Sequence, residues 1–317
     1  MSNAESTVSD VVIRNYRPGD EHSSLALIDA APDFPYYWFN RSASLDALRT
    51  VPEHPDMHPS HNLFFAEAAG QVVGYAELWR SPERTRGVGR VLVHPQWRRR
   101  RLGTELLQRI SQRARVSGAN RLDVGVAAQS EGAQRFLEAR GFRAVHYSWH
   151  MQLPDVTAAP APRSPVGYQR RSFVPSQDEP TSAQIENASF QDEWEFMPVP
   201  VGEIEGFVRS PSFRADGVIY ALHQGQVMGE CWTWIDRDSM EQTGGPRGDA
   251  WCLCVHPEHR GRGLGRALLL SSVHWLRRQG MTCAGLCVDG ANERARRLYE
   301  SVGFRTQQTD IWYREEL

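Results

Sequence analysis

A chain of 317 residues with 40% hydrophobic and 23% charged residues has the composition of an ordinary soluble globular protein. Its length exceeds what one core usually fills and suits two domains. A formal net charge of −2 excludes a general attraction to nucleic acid or anionic membrane, and no apolar run approaches the ~18 residues of a membrane span.

The polar opening MSNAESTVSD lacks the apolar stretch of a signal peptide, so a cytoplasmic protein is expected. A first strand is predicted from Val11 to Tyr16, followed by a helical stretch with the aromatic segment PDFPYYWFN (32–40). NLFFAEAAGQVVGYAELW reads as two strands joined by a tight turn at its Gly-Gln pair. GRVLVHP is a fourth strand running into WRRRRLG and a long helix. RLDVGVAA is a fifth strand, a short helix ends at Gly141-Phe142, and AVHYSWHMQL is the last strand. PDVTAAPAPRSPVG has no apolar periodicity and reads as an extended linker.

The same order then returns. A strand from Tyr168 to Phe173 precedes the acidic, aromatic segment FQDEWEFMP (Phe190 to Pro198). GVIYALHQGQVMGECWTW is again a hairpin, AWCLCVHP a fourth strand, and RGRGLG opens a long helix. CAGLCVDG, a short helix and TQQTDIWYRE complete the copy. Val93-His94-Pro95 matches Val255-His256-Pro257 at an offset of 162 residues, and Gly118 and Gly141-Phe142-Arg143 match Gly280 and Gly303-Phe304-Arg305 at the same offset. Collinear blocks of this kind mark an internal duplication. The expected fold class is α/β with a mixed (α+β) sheet in each of two tandem domains. The domains are expected at 1–153 and 166–317, with a Pro/Ala linker at 154–165.

Five cysteines (Cys231, Cys252, Cys254, Cys283, Cys287) form no CxxC pair and are odd in number. Neither a disulfide frame nor a metal site is expected; buried free thiols in a reducing compartment are.

Arg260-Gly261-Arg262-Gly263-Leu264-Gly265 lies between a predicted strand and a predicted helix. A helix N-terminus offers unpaired N–H groups and the positive end of the dipole, and glycine lets the backbone approach a phosphate closely. The dinucleotide fingerprint GxGxxG fails, because its last position is Arg266.

The pattern R-x-x-G-x-G after V-x-P, followed by N-x-x-A-x-x-L-Y-E-x-x-G-F from Asn292 to Phe304, resembles the GCN5-related N-acetyltransferase (GNAT) family. The resemblance covers both halves, so the chain is similar to tandem members of that family. It implies acetyl-CoA as cosubstrate, with no metal, and a primary amine, expected to be that of a small molecule, as acceptor. The same resemblance implies that Leu253, Cys254 and Val255 pair with the pantetheine arm. Arg260, Gly261, Arg262, Gly263, Leu264, Gly265 and Arg266 would hold the pyrophosphate, and Asn292 the arm from the far side. Direct transfer in a ternary complex is the implied reaction.

Acetyl transfer to an amine requires loss of the ammonium proton, stabilisation of an oxyanion and a proton for the departing thiolate. Tyr299 stands where the family places the acid. Asp249, six residues before Val255, stands where related enzymes carry a base, usually Glu. An ordinary Asp titrates near ~3.9, so base work favours burial. Glu230 on the preceding strand is the reserve candidate. A backbone N–H near Leu253 or Cys254 would meet the oxyanion. Asp192 and Glu193 are candidate acceptor-binding residues, alongside the reading of their segment as ordinary core and surface. The contrasting class is a non-catalytic acyl-CoA sensor, which needs neither Tyr299 nor Asp249; within the enzyme class the alternative acceptor is a protein.

At the 162-residue offset the first half replaces Asp249 with Gly87, Gly261 with Arg99, Gly263 with Arg101, Asn292 with Ser130 and Tyr299 with Leu137. Base, acid, pantetheine contact and glycines are lost together, so the first half is expected to be catalytically degenerate. Arg98 to Arg101 retain side chains suited to phosphate. A four-residue basic run in a net-acidic chain is the entry of a solvated helix sooner than a nucleic-acid site.

Overall fold

The computed structural model describes residues 11–20, 23, 26–27, 30, 59–79, 85–210, 212–235 and 246–317; the segment 32–40 and most of the loop before Arg247 lie outside them. Along the described chain run β1 (Val11–Asn15), α1 (Pro59–Asn62), β2 (Leu63–Ala68), β3 (Gln71–Trp79), β4 (Arg86–Val93), α2 (Leu102–Val116), β5 (Arg121–Ala127), α3 (Glu131–Glu138) and β6 (Arg143–Leu153). Then come β7 (Tyr168–Ser172), α4 (Glu179–Ser189), α5 (Val201–Arg209), β8 (Ile219–His223), β9 (Gln226–Ile235), β10 (Arg247–Val255), α6 (Leu264–Arg278), β11 (Cys283–Asp289), α7 (Glu293–Val302) and β12 (Arg305–Glu316). Both units are mixed α/β layers, as the sequence indicates.

The predicted hairpins are two-residue turns. Ala69-Gly70 (φ +48°, +77°) joins β2 to β3, and Gln224-Gly225 (φ +52°, +82°) joins β8 to β9. Positive φ at both central residues is the turn whose twist matches the flanking strands. In each unit the fourth and fifth strands are parallel, β4 with β5 and β10 with β11, and parallel neighbours need a crossover. Helices α2 and α6 supply it. Leu106 and Ile110 of α2 are buried with Phe64 and Leu122, and Leu268 and Leu276 of α6 with Ala284 and Leu286.

The chain divides into two compact units that are not contiguous halves. Residues 310–317 belong with the first unit, and residues 147–153 with the second. Asp310 to Glu316 pair antiparallel with β5, while Ser148 to Leu153 pair antiparallel with β11. Each copy's last strand therefore completes the other copy's sheet. In the first unit Asp123, fully buried, accepts from Arg86 Nε (2.7 Å) and from Arg314 Nε and Nη2 (both 2.7 Å). The segment expected to be extended also departs from that form. Val156–Ala158 form a 3₁₀ turn capped by Asp155, and Val156 is buried in the core of the second unit.

The loop that opens each crossover helix has the same backbone with different residues. Gly261 and Gly263 have φ of +79° and +85°; Arg99 and Arg101 have +66° and +65°. A left-handed conformation costs a residue with a Cβ about 1–2 kcal/mol, partly offset by the larger chain entropy that glycine loses on folding. Arg101→Gly is accordingly expected to raise the unfolding free energy by about 0.5–1 kcal/mol, read as a higher denaturant midpoint at unchanged slope. A lower midpoint would contradict this.

Candidate active site

The site of the second unit is built on a fork. Strand β10 pairs with β11 only from Arg247 to Asp249, the last pair being Asp249 with Gly285. On its other side β10 pairs with β9, and the register shifts between Trp251 and Cys254. Cys252 takes φ +47° within this bulge. A bulge leaves residues of one strand without a partner opposite; here they are Cys252 and Leu253. The first unit differs at the equivalent place. Its β4 pairs with β3 from Val88 to Val93 without a shift and stays with β5 as far as Gly89. The second fork opens earlier and is bulged; the first is neither.

Asp249 stands at the mouth of this fork, its side chain 25% exposed. Arg247 donates to its Oδ1 from Nη2 (2.8 Å) and Nε (3.2 Å). The pair lies across Gly285, where any Cβ would collide with both side chains. Glu230 is elsewhere on the ladder: it lies opposite Cys254, whereas Asp249 lies opposite Trp234. Fully buried, it accepts from Ser182 Oγ at 2.7 Å through Oε2, while Oε1 has no hydrogen-bond partner.

Tyr299 lies on α7, 7% exposed, its ring 6.1 Å from that of Phe304. Burial pushes its phenol well above the ordinary value, so it holds its proton at neutral pH and is a donor. Asn292 caps α7 by accepting from Ala295 N–H (2.9 Å) and donates to Glu193 Oε1 at 2.6 Å. A residue expected to touch the cosubstrate is thereby joined to one expected to touch the acceptor. Asp192 is exposed and Glu193 half-buried; Phe207 of α5 packs edge-on against Trp251 of β10 at 4.9 Å.

In the phosphate segment Gly263 is the left-handed N-cap of α6. Gly265 faces α7, and a Cβ there would come 3.2 Å from Leu298 Cδ2. Leu264 is buried. Arg260 donates to the carbonyls of Val255 (3.1 Å) and Ser189, bracing the loop instead of reaching outward. Arg262 donates to Glu258 O at 3.1 Å and Arg266 to Ser301 Oγ at 2.7 Å, both in exposed positions. A cavity of about 460 Å³ opens beside Gly263 and Arg266, with Pro160, Arg163 and Pro165 opposite. The unpaired N–H groups at this helix start, beside the cavity, suit a phosphate.

Sequence reasoning missed Glu186. Helix α4 buries Ser182, Glu186 and Ser189, one face at i, i+4 and i+7. Carboxyl oxygens of Glu186 and Glu230 and the Cys252 sulfur lie within 4.8 Å of one another. Burial raises both carboxyls above the usual range; the charge of Glu186 raises Glu230 further, whereas a hydrogen bond with Glu230 holds Glu186 lower. The signal was the helical spacing of polar residues on an inward face.

With this geometry in place, the chain was compared with known proteins. The acetyltransferase (GNAT) family matches it twice, over residues 27–142 and 183–304. The chain belongs to the GNAT family. It is a tandem GNAT protein and an acetyl-CoA-dependent N-acetyltransferase. Among its relatives are the mycothiol acetyltransferases of Thermobispora bispora, 31% identical over 94% of this chain and 96% of that protein, and of Saccharomonospora viridis, 33% identical over 80% and 84%. A GCN5-related N-acetyltransferase from Sphaerobacter thermophilus shares the fold, with a TM-score of 0.76 over 98% of this chain and 97% of that one at 22% identity. A tandem GNAT protein from the clavulanic acid biosynthesis pathway gives 0.73 over 96% and 98% at 18% identity. No described helix is long and apolar enough to cross a membrane.

Proposed function

We propose that this tandem GNAT enzyme moves the acetyl group of acetyl-CoA to the primary amine of a small molecule, by direct transfer, in its second copy (166–317). The observation that carries this reading is the fork at Asp249/Gly285, followed at once by the bulge at Cys252 and Leu253. The N-terminal copy (1–153) is a degenerate partner: its equivalent strand is unbulged, and Leu137 and Gly87 stand where Tyr299 and Asp249 would. A cytoplasmic location fits this role.

In this reading the backbone of Leu253, Cys254 and Val255 holds the pantetheine arm, and the N–H at Leu253 or Cys254 stabilises the oxyanion. The αL loop from Gly261 to Gly265 and the start of α6 receive the pyrophosphate, with Arg262 and Arg266 at its rim and Asn292 on the far side. Asp249 meets the ammonium at the fork and takes its proton through a water, while Tyr299 gives a proton to the departing thiolate. Asp192 and Glu193 face the acceptor. The names of the relatives favour an amine acceptor whose acetylation yields mycothiol.

The test is CoA release from acetyl-CoA with the free-amine form of mycothiol and a panel of unrelated primary amines. Asp249→Asn is expected to lower kcat/KM about 10²-fold at neutral pH. The deficit should shrink as pH rises toward the amine's own pKa, where no base is needed. A deficit constant with pH would remove Asp249 from proton transfer. Stoichiometric CoA binding without turnover of any amine would favour the acyl-CoA sensor instead.

A further inference from the structure

One cluster in the second unit is left over by this mechanism. Glu186 on α4, Glu230 on β9 and Cys252 on β10 converge within 4.8 Å. Glu230 is fully buried, and its Oε1 has no hydrogen-bond partner. Such an arrangement is unfavourable to keep. Two carboxyls out of water, with like charges facing one another, destabilise a fold unless a proton or cation lies between them.

Among the described residues, the groups acting on the two carboxyls include no cation. Facing Glu186 are Cys252 from β10, Glu230 from β9 and the charge of Glu203 on α5. Facing Glu230 are Cys254 from β10, Ser182 from α4 and Trp232 on its own strand. Ser182 Oγ also shares a hydrogen bond with Tyr220 Oη at 2.6 Å, and Tyr220 donates to Asp178 O at 3.3 Å. The cation near this chain, Arg171, is paired with Asp178. One proton shared by the two carboxyls satisfies the unpartnered oxygen and removes one of the two charges.

The position of the pair is as telling as its chemistry. Cys252, which meets Glu186, is the first residue of the bulge that carries Leu253. Glu230 lies opposite Cys254, the residue that ends the bulge. Resting on the acetyl-transfer reading above, we propose that Glu186 and Glu230 form the proton sink of the transfer step, the pair on which the proton shed by the acceptor's ammonium comes to rest. The N–H bond of the ammonium breaks, its electron pair stays on nitrogen, and the proton passes by way of Asp249 and water to the ionised member of the pair. Glu230 lies four residues along β9 from Trp234, the residue opposite Asp249. Nitrogen then bonds the acetyl carbon, the C–S bond breaks, and the thiolate takes the proton of Tyr299, which the amide nitrogen's second proton restores. The pair returns its proton to solvent after turnover. The pair acts through Asp249 and its water and does not bind the amine itself.

The experiment compares the pH dependence of kcat for wild type, Glu186→Gln and Glu230→Gln, with acetyl-CoA and the free-amine form of mycothiol. Difference infrared titration of each protein alone, with CoA absent, reads the carbonyl stretch of a protonated carboxylic acid. Wild type should show an acidic limb with a break near 7, the value to which burial pushes Glu186, and an infrared band lost over the same range. In both variants the limb should shift by at least about one pH unit and kcat at pH 7 fall about 10- to 100-fold. Glu186→Asp, which restores a carboxyl, should recover part of the limb. A uniform loss of rate with the break unmoved, or an infrared band unchanged by both variants, overturns the proposal. Absence of turnover in wild type would count against the acetyl-transfer reading itself. The infrared band decides the shared proton in either case, and without that proton the sink is refuted.

Discussion

Tyr299→Phe lowers kcat by about 10²-fold or more while the KM for acetyl-CoA stays within about twofold. The hydroxyl is the only group removed, and the ring keeps its place beside Phe304, so the melting temperature should move little. The size of the effect is that of losing one general acid. A phenol held protonated inside the protein is an available acid, and without it the thiolate leaves without a proton. A rise in KM for acetyl-CoA with kcat unchanged would assign Tyr299 to binding. Leu137→Met, at the equivalent place in the first copy, conserves volume in a buried position and should leave kcat at the wild-type value.

The largest effect on stability is expected at Asp123. Its carboxylate is fully buried and neutralises Arg86 and Arg314, whose side chains are 8% and 17% exposed. Asp123→Asn removes the buried carboxylate that the two guanidiniums share. Breaking a buried ion group in this way costs about 3–5 kcal/mol, which for a unit of this size lowers the melting temperature by roughly 8–15 °C. Arg314 belongs to the stretch 310–317, which completes the first unit's sheet, so the loss should appear first as increased proteolysis or amide exchange at the C-terminal strand. Replacing all three residues with apolar ones of similar size should recover most of the stability. If Asp123→Asn melts within 2 °C of wild type, the triad does not hold the strand.

Much of the site was legible because it is local in sequence. The glycines of RGRGLG marked a helix entry open to close approach of a phosphate, and Gly263 caps that helix in left-handed backbone. Asn292, Tyr299 and the Gly-Phe end of α7 fall within one helix, so a single motif placed them. The bulge at Cys252 was not legible, since AWCLCVHP and GRVLVHP carry the same strand signal and nothing in either shows a register shift. The exchange of last strands was also hidden. AVHYSWHMQL and TQQTDIWYRE are both strand-like, and periodicity says which face is buried but not which neighbour is paired. Glu186 escaped for a related reason: its partners lie on β9 and β10, and only the packing of α4 brings them together. Arg99 and Arg101 show the converse, a glycine geometry kept by residues that do not favour it.

If the second copy alone does the chemistry, disabling its acid and base together abolishes most turnover. The rate of CoA release with acetyl-CoA and the free-amine form of mycothiol is compared between wild type and the Asp249→Asn, Tyr299→Phe double variant, both with an intact first copy. The double variant is expected to fall at least about 10²-fold, with acetyl-CoA still bound. A double variant within about twofold of wild type would show that catalysis lies elsewhere and would contradict the account.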